Sequence, residues 1–258
     1  MPVDVTYDGP VVVVSINRPE VANAIDRPTA EALTEAFVAF EGDDRLAVAV
    51  LTGTGGTFCA GADLKASRSR DPAVVVRTEP DGDGPLGPTR RLLSKPTIAA
   101  VEGHAVAGGL ELAAWCDLRV AATDAVFGVY CRRWGIPLMD GGAVRLTRLL
   151  GHSHALDLIL TGRGVSGTEA QQMGLANRLV APGTALEEAL AMAHQLAERP
   201  QAALRSDRQS SYEQWSQPLD SALRTEYEHA MAALRTRQFV AGLAEHAKGD
   251  WRHRPGWS

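Results

Sequence analysis

Three observations predict an α/β fold for this chain. Short runs rich in Val, Ile and Thr recur as far as Ala181, amphipathic helical runs stand between them, and after Thr184 no strand pattern returns. At 258 residues and 45% hydrophobic composition the chain can bury one full core and requires no second. The expected division is a core over residues 1–198 and a helical C-terminal part over 199–258.

The elements follow in order. Val3 to Tyr7 and Val11 to Ile16 flank Asp8-Gly9-Pro10, a hairpin signal. From Pro28 the apolar positions Leu33, Ala36, Phe37 and Phe40 keep helical spacing, with Asp26 at the start and Gly42 at the stop. Ala47 to Thr52 is the next strand. Gly53-Thr-Gly-Gly-Thr-Phe58 after it imitates a dinucleotide fingerprint, but Phe58 stands where the third glycine belongs. Residues 66–88 are a polar, Gly/Pro-rich segment, read as a lid over a site or a plain surface loop. A short helix is expected over 89–94, then a strand from Thr97 to Val101. Leu118 to Ala122 and Ala125 to Val129 read as strands, 143–150 and 153–160 as helices. Ser166-Gly-Thr-Glu169 is a capping box opening a helix that stops at Gly174, and Asn177 to Ala181 is the last strand. Helices are expected from 184 to 199, around 219–234 and from 239 to 247.

The chemistry concentrates in Val101 to Cys116. A strand enters a loop whose small residues, Ala105, Ala107, Gly108 and Gly109, let backbone come close to a neighbour, and an apolar helix follows. The first amides of that helix lie at the positive end of its dipole, where they would stabilise a developing negative oxygen. Amides around Ala60 to Asp63 would supply a second donor. Glu111 stands among Leu110, Leu112, Ala113, Ala114 and Trp115. It either pairs with an arginine or completes a helix N-terminus, or it moves a proton beside a carbonyl.

Composition narrows the function. A net charge of −5 with no basic block and 5% aromatic residues argues against nucleic acid as a partner. No apolar run is long enough to span a bilayer, and the first residues lack a signal-peptide pattern, so the expected location is cytoplasmic. The three cysteines, Cys59, Cys116 and Cys131, have no metal-type spacing, which predicts a reduced compartment and no metal. No G-x-S-x-G elbow marks a serine hydrolase.

Asn17-Arg-Pro, Asn23-Ala24, Cys59-Ala-Gly-Ala-Asp-Leu64, Lys95-Pro96, Ala99-Ala-Val-Glu-Gly103 and Ala107-Gly-Gly-Leu-Glu-Leu112 occur in this order. Cys116-Asp117, Phe127-Gly128, Arg145-Leu146, Leu160-Thr-Gly162 and Gly174-Leu175 continue it. With these motifs the chain resembles the crotonase, or enoyl-CoA hydratase/isomerase, family along nearly its whole length. The resemblance implies a spiral of ββα units, a helical C-terminal part used in trimerisation, and homotrimers or homohexamers. It implies an acyl-CoA thioester as ligand and no cofactor beyond the coenzyme A of the substrate. Ala62 and Gly108 would donate their amides to the thioester oxygen. The adenosine end of coenzyme A would lie along Asn23, Ala24, Ala60, Asp63, Leu64 and Lys65, with Lys65 toward phosphate.

Glu111 matches the first catalytic glutamate of the hydratases, and Cys131 stands where the second is expected. Cys131 reads as a small buried residue, as a thiolate activated by Arg132 or Arg133, or as a wall of the pocket. Asp140 reads as a substitute carboxylate, as in family isomerases, or as a cap of the following helix. The leading expectation is hydration of a 2-enoyl-CoA. Isomerisation by Glu111 with Asp140, or an acyl-CoA binder of low activity, stands beside it.

Overall fold

A computed structural model describes residues 1–249 as two compact units, Met1–His194 and a second from Gln195 on. The first unit holds both sheets. Strands β1 (Val3–Asp8) and β2 (Val11–Ile16) pair antiparallel across the expected hairpin. Beyond β2 the large sheet is parallel, in the order β1-β2-β3-β4-β6-β9, with β3 Val48–Gly53, β4 Thr97–Val101, β6 Leu118–Ala122 and β9 Arg178–Val180. All of β4 is buried, which is why it reads as an unbroken apolar run without alternation. A second sheet, β5-β7-β8, joins His104–Val106, Val126–Gly128 and Gly164–Ser166. β5 and β8 were not expected from the sequence, because three residues are too few for alternation to register.

Helix α1 (Arg27–Gly42) starts where Asp26 accepts from the Thr29 amide and buries Leu33, Phe37 and Phe40. Phe37 meets Trp115 edge to face at 4.8 Å between ring centres, tying α1 to α3 (Gly108–Trp115). Buried Lys95 donates to the carbonyls of Phe40 and Asp43 and so closes the last turn of α1. Buried Arg119 likewise holds the carbonyls of Cys116 and Leu175.

The expected helix over 89–94 is only a 3-10 turn, Pro88–Arg90. Arg91 is extended and its carbonyl accepts from the indole of Trp115, which stops propagation. In the 66–88 segment a short helix, α2 (Leu64–Ser67), is followed by irregular chain pinned by Arg27, which binds backbone at Val74 and Pro72. Helices α4 (Gly142–Leu150) and α5 (His152–Thr161) lie where expected. Ser166 caps α6 (Gly167–Gln172), but Glu169 turns to Arg163 rather than back to the cap, so the capping box is half made.

The boundary between the units falls within α7 (Ala185–Ala197). The second unit contains α8 (Gln201–Glu213), α9 (Leu219–Leu234) and α10 (Arg237–Ala247). α8 is a helix the sequence reading passed over, since QAALRSDRQSSYE carries too few apolar residues to show a face.

Candidate active site

The site is built where two backbone segments are laced together. Cys59 pairs with the strand at Ala105: its amide donates to the His104 carbonyl at 2.8 Å, and its carbonyl accepts from Val106 at 3.0 Å. On its other side the segment bonds to Ile25, which gives its amide to Gly61 and takes that of Asp63. Between these bonds the Ala62 amide has no hydrogen-bond partner among the described residues. Gly109 is a glycine because a Cβ there would overlap the Cys59 carbonyl oxygen. Gly61, at φ +90°, brings the segment against the Gly108 amide, which a Cβ would meet at 2.7 Å.

Gly108 opens α3, so its amide has no acceptor within the helix. The turn into α3 passes through Ala107 at φ 53°, a conformation that costs a non-glycine residue about 1–3 kcal/mol. Ala62 and Gly108 both line a cavity of 380 Å³. Two main-chain amides reaching one point of such a cavity, one of them at a helix N-terminus, would form an anion hole.

Glu111 is 3% exposed and lines the same cavity. Its Oε1 accepts from the amides of Asp140, at 2.9 Å, and Gly142, at 2.8 Å. One carboxylate oxygen therefore completes the N-terminus of α4. Burial, joined by the nearby Asp140 carboxylate, pushes Glu111 up to about 7 against the pull of those amides. Near neutral pH it can take or give a proton.

Asp140, also 3% exposed, does not cap α4, whose N-cap Gly141 has no side-chain partner. Its Oδ1 accepts from the Leu86 amide at 3.0 Å and the Thr89 hydroxyl at 2.5 Å. Burial raises it above the ordinary aspartate range. Cys131 lies in the cavity wall on a 3-10 turn, Tyr130–Trp134. Burial and then the facing Glu111 push its thiol up, outweighing Arg132. Arg132 donates to the Ile159 carbonyl and Arg133 stacks 3.8 Å over Tyr130, so neither arginine makes Cys131 a ready thiolate.

Of the residues singled out from sequence, Ala60, Ala62, Leu64, Gly108, Glu111, Cys131 and Asp140 share the cavity wall, whereas Asn23, Ala24, Asp63 and Lys65 lie outside it. Asn23 is fully buried and spends its side chain on the carbonyls of Thr54 and Thr57 and the amide of Arg18, which makes it framework for the neighbouring loop. Asp63 caps α2 and pairs with Arg18 at 3.1 Å. Although burial works the other way, the Ala66 amide and Arg18 hold its carboxyl below the ordinary range. Lys65 is exposed on α2. Sequence reasoning missed the apolar walls, including Val76, Leu86, Ile136 and Met139. They come from irregular segments without periodicity, and proximity to Cys131 was the only signal for those after 130.

Comparison with known proteins gives a consistent result. The family model described as enoyl-CoA hydratase/isomerase matches residues 6–254. The enoyl-CoA hydratase EchA19 of Mycobacterium tuberculosis is 40% identical over 192 residues, covering 72% of this chain and 70% of that protein. A probable mitochondrial enoyl-CoA hydratase 2 of Arabidopsis thaliana is 36% identical over 242 residues, covering 93% and 80%. The crystal structure of an enoyl-CoA hydratase from Mycobacterium tuberculosis H37Rv superposes with a TM-score of 0.90 at 35% identity, covering 100% of this chain and 98% of that one.

Proposed function

Because the chain belongs to the enoyl-CoA hydratase/isomerase family, we propose that it is a hydratase adding water across the C2=C3 bond of a 2-enoyl-CoA. The observation that carries this reading is Glu111, one oxygen fixed by the Asp140 and Gly142 amides, in the same cavity as the Ala62 and Gly108 amides. The thioester oxygen accepts from those two amides, which draws electron density from C3. Glu111 as carboxylate takes a proton from water while the water oxygen bonds to C3, and the π electrons pass to an enolate. The same group, now an acid, returns the proton to C2. One carboxyl titrating near neutrality performs both transfers, and no second glutamate is required of position 131.

Ala24, Ala60, Leu64 and Lys65 would follow the adenosine end of coenzyme A, with Asn23 and Asp63 holding their loops. The ligand is an acyl-CoA thioester and no resident cofactor is invoked. The reading extends to a cytoplasmic protein, in keeping with three unpaired cysteines, and to homotrimers or homohexamers formed through the helical unit. Among the described residues no helix is long and apolar enough to cross a membrane.

The test is mass spectrometry of a short 2-enoyl-CoA and its 3-enoyl isomer after incubation in deuterated water. Uptake of one water by the 2-enoyl compound is expected, with Glu111→Gln lowering kcat by about 10²–10⁴ while acyl-CoA binding persists. Double-bond movement with deuterium uptake and no added water would make the protein an isomerase. Tight binding without turnover, unaffected by Glu111→Gln, would make it a binder.

A further inference from the structure

Asp140 sits at the crossing of the two halves of the site. Its backbone amide holds Oε1 of Glu111, and its side chain holds a turn that comes from elsewhere in the chain. That turn, Gly84 to Gly87, is closed by reciprocal amide–carbonyl bonds at 2.9 and 3.0 Å. Gly84 has no side chain because a Cβ there would run into the Thr89 hydroxyl and come within 2.6 Å of the Asp140 carboxylate. Leu86, fully buried, fills the space in front of Gly108, so that a Cβ on Gly108 would strike its Cδ1. Arg145 completes the ring by donating to the Asp140 carbonyl at 2.7 Å and the Thr89 carbonyl at 2.5 Å.

We propose that Asp140 is the positioning residue of this site: its carboxylate anchors Leu86 against the α-carbon of Gly108, and its backbone fixes the proton-carrying Glu111. The inference rests on the reading of Glu111 and Gly108 given above. It gives Asp140 a role apart from the acid–base work: its Oδ1 holds the Leu86 amide and the Thr89 hydroxyl, and its own amide holds Glu111. The arrangement also places a second carboxylate beside Glu111. Glu111 is faced by Asp140 and by the Cys131 thiol; Asp140 in turn is faced by Arg90 and Arg145, which favour its charge, and by the buried thiol of Cys59. Asp140 thereby keeps Glu111 protonated to higher pH than burial alone would.

The test compares Asp140→Asn with Asp140→Ala. Asparagine retains an acceptor for Leu86 and Thr89 but removes the charge. Asp140→Asn is expected to keep about a tenth or more of kcat, and Asp140→Ala to lose about 10²-fold in kcat with KM little changed, as misplaced groups cost. The acid limb of the Asp140→Asn pH profile is expected to move down by about one unit. The Glu111 carboxyl, assigned by Glu111→Gln in protein carrying ¹³C-labelled glutamate, should titrate lower by the same amount in NMR. Equal, near-complete loss in both variants would make Asp140 a proton carrier and overturn the inference. An unmoved Glu111 midpoint, with activity following only the melting temperature, would reduce it to a structural residue and overturn it as well. Should the wild-type protein turn over neither enoyl-CoA, the functional reading fails, and the NMR midpoint decides the inference without it.

Discussion

Ionising Glu111 inside the cavity costs folding free energy, and the sign follows from its displacement. The folded group titrates at about 7 and the unfolded one at about 4.3, so its stabilising contribution is full below 4.3 and is lost as pH rises through 7. The loss approaches about 3 kcal/mol at pH 8. Glu111→Gln keeps an acceptor for the Asp140 and Gly142 amides and cannot ionise. It is expected to melt on the order of 5 °C above the wild type at pH 8, with the gap closing by pH 5. A gap of equal size at both values would mean that Glu111 titrates at its ordinary pKa. Cys131→Glu is expected to raise hydration kcat about 10-fold or more by adding a second proton carrier to the one that suffices; unchanged kcat in a folded variant with normal acyl-CoA binding would show that more than position 131 sets the rate. Glu111 was legible in the sequence because a lone carboxylate interrupts an apolar helix. The partners of Asp140 were not, since Leu86 and Thr89 lie 54 and 51 positions away and only folding brings them together.

At the scale of elements, the site depends on how closely α3 approaches the segment carrying Ala62. Gly109→Ala would drive a methyl group into the backbone oxygen of Cys59, which cannot rotate away. It is expected to cost about 1–3 kcal/mol in urea unfolding and to lower kcat by spreading the two amides. Gly42→Ala, at the last residue of α1 with open space around it, serves as the control and is expected to be neutral within about 0.5 kcal/mol. Long elements with a strong pattern, such as α1 and β4, could be read from the chain. Elements stabilised by what they touch could not: β5 exists through its pairing with β7, and α8 forms without an apolar stripe to announce it.

At the scale of the whole molecule, α9 presents Leu219, Leu223 and Tyr227 four residues apart, each more than half exposed. Such a stripe on one helix face is what an interface between copies would cover. Replacing Leu219 and Leu223 by Glu is expected to convert the assembly to smaller species in analytical ultracentrifugation; a wild-type monomer would remove the basis of that expectation. The α/β class and the helical end were readable because composition changes after Ala181. The cavity walls between Val76 and Leu86 were not, because an irregular segment takes its path from its anchors. The lacing of Cys59 to Ala105 has a further consequence. Both donors proposed for the thioester oxygen belong to the main chain, so that grip on the substrate would not be written in any one side chain. Single substitutions at 111 or 131 would then alter the fate of the acyl group while that grip survives, which puts neighbouring reactions within one mutational step of each other.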